Sequence, residues 1–149
     1  MSQPFRLLLR VRYGECDAQG IVFNARWGDY ADIASSEFTR ALFGDVRPEV
    51  TGLDWKLVRQ TIEWHGPARY DDVLELRVRT LRIGTTSFTL ATEVSRHPEQ
   101  EHLASIETTC VMIDPASGDK KPITPEARAA LDRGAPGALV DQAGAPRRS

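Results

Sequence analysis

At 149 residues and 16.6 kDa the chain has the size of one compact domain. With 41% hydrophobic and 27% charged residues it is too apolar for a disordered chain, and 11 Gly with 9 Pro exclude collagen-like or low-complexity sequence. Nineteen Lys plus Arg against 21 Asp plus Glu leave a formal charge of −2, which gives no electrostatic reason to expect nucleic acid as a partner.

The first segment alternates: Phe5, Leu7, Leu9, Val11 and Tyr13 fall on one face, Arg6, Arg10 and Arg12 on the other. That is the period of a half-buried strand. Its longest apolar run, Leu7-Leu8-Leu9, is far too short for a signal peptide or a membrane span, so a cytoplasmic location with no membrane partner is expected. Small and polar residues from Gly14 to Gly20 predict a loop. Trp27, Tyr30, Ala31, Ala34, Phe38, Ala41 and Leu42 then recur at steps of three and four, predicting one long amphipathic helix with Asn24 as N-cap and Gly44 as terminator.

From about Lys56 the period changes to two. Val58, Ile62 and Trp64 alternate with Arg59, Thr61 and Glu63; His65-Gly66-Pro67 breaks the ladder; Leu74, Leu76 and Val78 form the next strand. Gly84-Thr85-Thr86 marks a turn before Phe88, Leu90 and Val94, and Pro98 to Glu101 marks a second. Ala104 to Ile113 is apolar on both faces for part of its length, as a central strand is. A short helix is predicted over Glu126 to Asp132. Residues 1–133 read as a single domain, and residues 134–149, rich in Gly, Ala and Pro, as a flexible tail.

Strand, long helix, then strands joined by tight turns predict an α+β layer: a curled antiparallel sheet packed on a central helix. Such a layer leaves an edge to protect, so a homo-oligomer is expected. Cys16 and Cys110 form no CxxC and are read as reduced thiols, and His65, His97 and His102 lack ligand spacing, so no metal is expected.

The chemistry is sought in the loop Tyr13-Gly14-Glu15-Cys16-Asp17-Ala18-Gln19-Gly20-Ile21-Val22-Phe23-Asn24. A carboxylate just ahead of a helix N-terminus can act as nucleophile or general base while free N–H groups stabilise an oxyanion, a combination suited to acyl transfer or hydrolysis. Equally, Asp17 can simply cap a turn or the helix. Glu15 reads as a solvated charge or a group that positions Asp17, Cys16 as a small packing residue, and Trp27 with Tyr30 as core, with Trp27 alternatively flooring an acyl pocket.

Arg10-Val11, Gly14-Glu15-Cys16-Asp17 and Gly20-Ile21-Val22-Phe23 with Trp27 together resemble the signature of the 4-hydroxybenzoyl-CoA thioesterase family, and Tyr70-Asp71-Asp72-Val73-Leu74 and Ser87-Phe88 resemble its third and fourth strand starts. The resemblance spans roughly residues 5 to 132. It implies the hotdog fold, a five-stranded antiparallel sheet wrapped around one long central helix, and hydrolysis of an acyl-coenzyme A thioester to acid and free coenzyme A. Asp17 matches the catalytic carboxylate, and the backbone N–H near Phe23 and Asn24 matches the group that polarises the carbonyl. No cofactor is implied, coenzyme A being part of the substrate. The pocket lies at a dimer interface in such enzymes, so His65, Gly66 and Pro67 of a neighbouring subunit are expected along the acyl site, in a homodimer or homotetramer. Arg82 is the charged residue where other members carry a basic cluster for the coenzyme A phosphates, with Lys120 and Lys121 as alternatives, and Ser87 is a candidate partner of the pantetheine arm. Some members carry His where this chain has Asn24, which leaves Asp17 alone. Two other functions fit the same fold: a non-catalytic acyl-CoA or lipid-binding module, and a hydratase, although no His stands where a hydratase would need one.

Overall fold

The computed structural model describes residues 3–144. Six strands run β1 (Phe5–Arg10), β2 (Asp54–Trp64), β3 (Val73–Ile83), β4 (Ser87–His97), β5 (Glu101–Ile113) and β6 (Leu139–Gln142). Three helices join them: α1 (Trp27–Phe43), the four-residue α2 (Pro48–Thr51) and α3 (Pro125–Arg133). The strands form one sheet in the order β2-β5-β4-β3-β1-β6, antiparallel except where β6 lies parallel to β1. The five antiparallel strands and the single long helix are those expected.

The helix buries Trp27, Tyr30, Ala31, Ala34 and Phe38 against the strands, and Phe38 meets Phe5 edge-on at 5.5 Å. Ala41, expected on the buried stripe, is exposed, while Phe43 at the end of the helix packs on Trp55 of β2 at 6.1 Å. Gly44 terminates the helix in the left-handed conformation (φ +83°), as its position predicts. Asn24 is not the N-cap. Phe23 occupies the extended cap position and Asn24 already opens a 3₁₀ turn (Asn24–Arg26) that runs into α1, so its side chain caps nothing.

Two expectations change at the edges of the sheet. β1 ends at Arg10, because the Arg12 N–H donates to Glu15 Oε1 (2.8 Å) and turns the chain; Tyr13 is consequently 81% exposed instead of continuing the buried face. Residues 134–144, read as flexible tail, instead add β6, with Leu139 to Gln142 paired to Arg6 to Leu9; residues 145–149 of that tail lie outside the described residues. On the other edge, β2 pairs, among the described residues, with β5 alone, carries a bulge between Leu57 and Arg59, and exposes Leu57, Val58 and Trp64. No described helix is long and apolar enough to cross a membrane.

Candidate active site

Between β1 and α1 the chain folds into a tight hairpin. Cys16 bridges Val22, the Asp17 N–H donates to the Ile21 carbonyl (2.8 Å), and Gly20 supplies the positive φ that lets the turn close. Asp17 is exposed at the start of this turn. Its Oδ1 accepts the N–H groups of Gln19 (2.8 Å) and Ile21 (3.4 Å), whereas Oδ2 has no donor among the described residues. Asp17 therefore does cap a turn, and still keeps one carboxylate oxygen without a donor among the described residues.

Glu15, two residues earlier, is buried. Its Oε1 accepts the Arg12 N–H (2.8 Å) and the Tyr30 hydroxyl (2.8 Å), and its Oε2 accepts Arg12 Nε (3.0 Å) and Nη2 (2.7 Å). Burial works to raise its pKa, but the Arg12 and Tyr30 hydrogen bonds together outweigh it and hold the carboxyl below its ordinary value. Burial, then the bond to Glu15, push the Tyr30 phenol up, so it remains a donor. Burial and the negative charges of Glu15, Asp17 and Asp72 likewise raise the Cys16 thiol, whose Sγ points at the Arg12 carbonyl (3.7 Å); a protonated thiol is a poor nucleophile.

The start of the helix offers one of the two expected backbone donors. The Phe23 N–H is consumed by the Glu15 carbonyl (2.9 Å), so it is not free to polarise a substrate carbonyl. The Asn24 N–H, next in line, donates to no acceptor among the described residues, as first-turn N–H groups of a helix do. The positive end of the helix dipole lies there as well.

The structure brings only some of the expected residues to this end. His65, Gly66 and Pro67 follow β2 and lead directly into Ala68, whose carbonyl accepts the Val22 N–H (2.9 Å); Ile21 bridges Arg69 and the Tyr70 N–H donates to the Gly20 carbonyl. The segment thus lies beside the hairpin of its own chain. His65 stacks on His102 at 4.7 Å, and Pro67 gives its carbonyl to Arg96 Nη2 (2.6 Å). Arg82 and Ser87 stand at the opposite end of β3 and β4, roughly 30 Å away at the rise of a strand. Ser87 there packs on the turn, its carbonyl accepting the Gly84 N–H (2.7 Å). Trp27 is 2% exposed and lies edge-on to Tyr30, a core residue and not a pocket floor. Lys120 and Lys121 are also remote, beside the end of β5.

Sequence reading missed three partners: Arg12 and Tyr30 on Glu15, and the pair Tyr13–Tyr70, exposed and edge-on at 6.0 Å. The Arg-x-x-Glu spacing was the available signal for the first. A cavity of about 280 Å³ separates α1 from β2, β4 and β5; Ser35, Thr39, Trp55, Gln60 and Thr108 are among its lining. Among the described residues no cluster of three His, Cys, Asp or Glu side chains is placed to hold a metal.

The model of the thioesterase-like superfamily matches residues 11–131. The chain belongs to that superfamily, and is a thioester hydrolase. The acyl-CoA thioester hydrolase YbgC of Escherichia coli is 28% identical over 112 residues, 74% of this chain and 83% of the relative. A crystal structure of an Aquifex aeolicus hypothetical protein superposes with a TM-score of 0.78 at 28% identity, covering 86% of this chain and 99% of that one. The 1,4-dihydroxy-2-naphthoyl-CoA thioesterase Slr0204 of Synechocystis, at 18% identity and a TM-score of 0.76 over 85% and 94% of the two chains, speaks for the hotdog fold alone.

Proposed function

We propose that this thioesterase-superfamily member hydrolyses an acyl-coenzyme A thioester, with Asp17 as the group that carries the chemistry. The observation behind this reading is the hairpin itself: the exposed Asp17 has Oδ1 tied to the turn and Oδ2 without a donor among the described residues, next to a helix start whose Asn24 N–H is unspent. In one route Oδ2 attacks the thioester carbon, expels the coenzyme A thiolate and leaves a mixed anhydride that water cleaves. In the other, Oδ2 takes a proton from the water that attacks the thioester carbon, the C–S bond breaks, and the coenzyme A thiolate leaves and takes up that proton. In both, the carbonyl oxygen becomes negative, and the Asn24 N–H at the positive end of the helix is the donor suited to it. The chemistry asks for no metal or redox cofactor, and a cytoplasmic enzyme would meet its coenzyme A substrate there.

The proposed acyl group is aryl, of the 4-hydroxybenzoyl kind. Supporting it, Phe23, Tyr13 and Tyr70 expose their rings around the hairpin, faces on which an aromatic acyl group can pack. The proposed assembly is a homodimer joined through the bare edge of β2, where Leu57, Val58 and Trp64 are exposed. That contact would set Trp64, and His65 to Pro67 behind it, against the partner, and pairing of dimers would be the way to bring Arg82 or Ser87 to another chain's substrate.

Thiol release from a panel of aryl and aliphatic acyl-CoAs, with wild type and Asp17→Asn side by side, tests the reading. The expected outcome is turnover of aryl substrates that falls by about a thousandfold or more in the folded variant, the order of loss that follows removal of a catalytic group. Wild-type rates in Asp17→Asn would remove Asp17 from the mechanism. Binding of coenzyme A without release from any substrate would favour the acyl-CoA-binding module instead.

A further inference from the structure

Resting on the assignment of Asp17 above, we infer that Glu15 is a positioning residue: its buried carboxylate joins the hairpin that carries Asp17 to the first turns of α1 and so sets where Asp17 stands relative to the Asn24 N–H. Both oxygens of Glu15 are fully occupied, Oε1 by the Arg12 N–H and the Tyr30 hydroxyl, Oε2 by Arg12 Nε and Nη2, so none is left for substrate. Three elements converge on this one residue. Arg12 comes from the turn that follows β1, Tyr30 from α1, and the Glu15 carbonyl holds the Phe23 N–H immediately before Asn24.

The two halves of the clamp differ. The Arg12 side chain is 75% exposed, and water weakens its hold, whereas Tyr30 is 1% exposed and its hydrogen bond to Glu15 is buried. A carboxylate taken out of water carries a desolvation cost that a simple hairpin has no need to bear. Four donors offset that cost here. What they secure is geometry: Asp17 moves with the hairpin, the Asn24 N–H moves with the helix, and Glu15 is bonded to both. An attacking group and its oxyanion donor misplaced by about 1 Å lose up to a hundredfold in rate.

The test compares Glu15→Gln, Tyr30→Phe, Asp17→Asn and a stability control, Phe38→Leu, in full-length protein, by steady-state acyl-CoA hydrolysis and thermal melting. Phe38 is buried at the far end of α1 and touches none of the groups above. Glu15→Gln is expected to lower kcat about 10- to 100-fold while KM changes less than about threefold. Tyr30→Phe is expected to move kcat in the same direction, and Phe38→Leu to lower Tm with kcat unchanged. The inference is overturned if Glu15→Gln and Tyr30→Phe retain wild-type kcat, or if Phe38→Leu loses kcat in the same proportion to its fall in Tm. Should Glu15→Gln fail to fold, Tyr30→Phe, which removes one hydrogen bond, decides alone. Loss of activity in Asp17→Asn with normal rates in both clamp variants would overturn only the positioning role, whereas normal rates in Asp17→Asn would overturn the assignment beneath it.

Discussion

Two carboxylates two residues apart have opposite environments, and the proposed division of work between them rests on that difference. Asp17 is exposed with one oxygen open; Glu15 is buried with both oxygens bonded. Because the folded Glu15 carboxyl lies below its ordinary value of about 4.5, its bonds add stability that is fully present above that pH and is lost as pH falls through the lower folded value. Melting curves of wild type and Glu15→Gln are therefore expected to differ at pH 7 and to converge on acidification below about 4.5; a constant gap would contradict the shift. Cys16, its thiol raised by burial and three acidic neighbours, is expected to react slowly with iodoacetamide at pH 7, and Cys16→Ser to keep kcat within about twofold. At this scale the turn that Asp17 caps was legible, since Asp-x-x-Gly ahead of a helical stripe is a local pattern. The fate of the Phe23 N–H was not, because its acceptor is the carbonyl of Glu15 across a hairpin that only the closed turn brings near.

Among elements, α1 and the strands β3 and β4 were readable to within a residue or two, because each has a clean period and a breaker at its end. β6 was not. Four residues flanked by Gly and Pro carry too little period to stand out, and their pairing to β1 is parallel, which needs the α3 crossover to have formed. Its contribution is nevertheless measurable: the Arg10 guanidinium donates to the Ala143 carbonyl (2.8 Å), and Val140 is half-buried against the core. Truncation after Ala138 is expected to lower Tm by roughly 5 °C with little change in kcat, read by calorimetry and thiol release. A truncated chain that melts like the full one would show β6 to be marginal.

For the whole molecule, the decisive contrast is between the two ends of the sheet. Hairpin, helix start and the segment from His65 to Tyr70 share one end, while Arg82 and Ser87 hold the other, a separation that no reading of local spacing contained. The proposed dimer is expected to scatter light at about twice 16.6 kDa. Charging the free edge with Leu57→Lys plus Val58→Lys should return the mass to that of one chain and depress turnover, as edge charges block strand pairing. A monomeric wild type with full activity would dismiss the assembly.

The unequal edges of the sheet have a further consequence. Strand-to-strand growth becomes a fibre when each molecule offers two compatible edges, one to receive and one to give. Here β2 offers eleven residues, and the opposite edge ends in the four residues of β6, too short a template for a matching ladder. Head-to-tail addition of β2 onto β6 has almost nothing to grip. The proposed dimer pairs like with like, β2 against β2, and that union would consume both long edges at once. In the proposed dimer the short sixth strand would act as a polymerisation stop, holding edge-driven association to two copies.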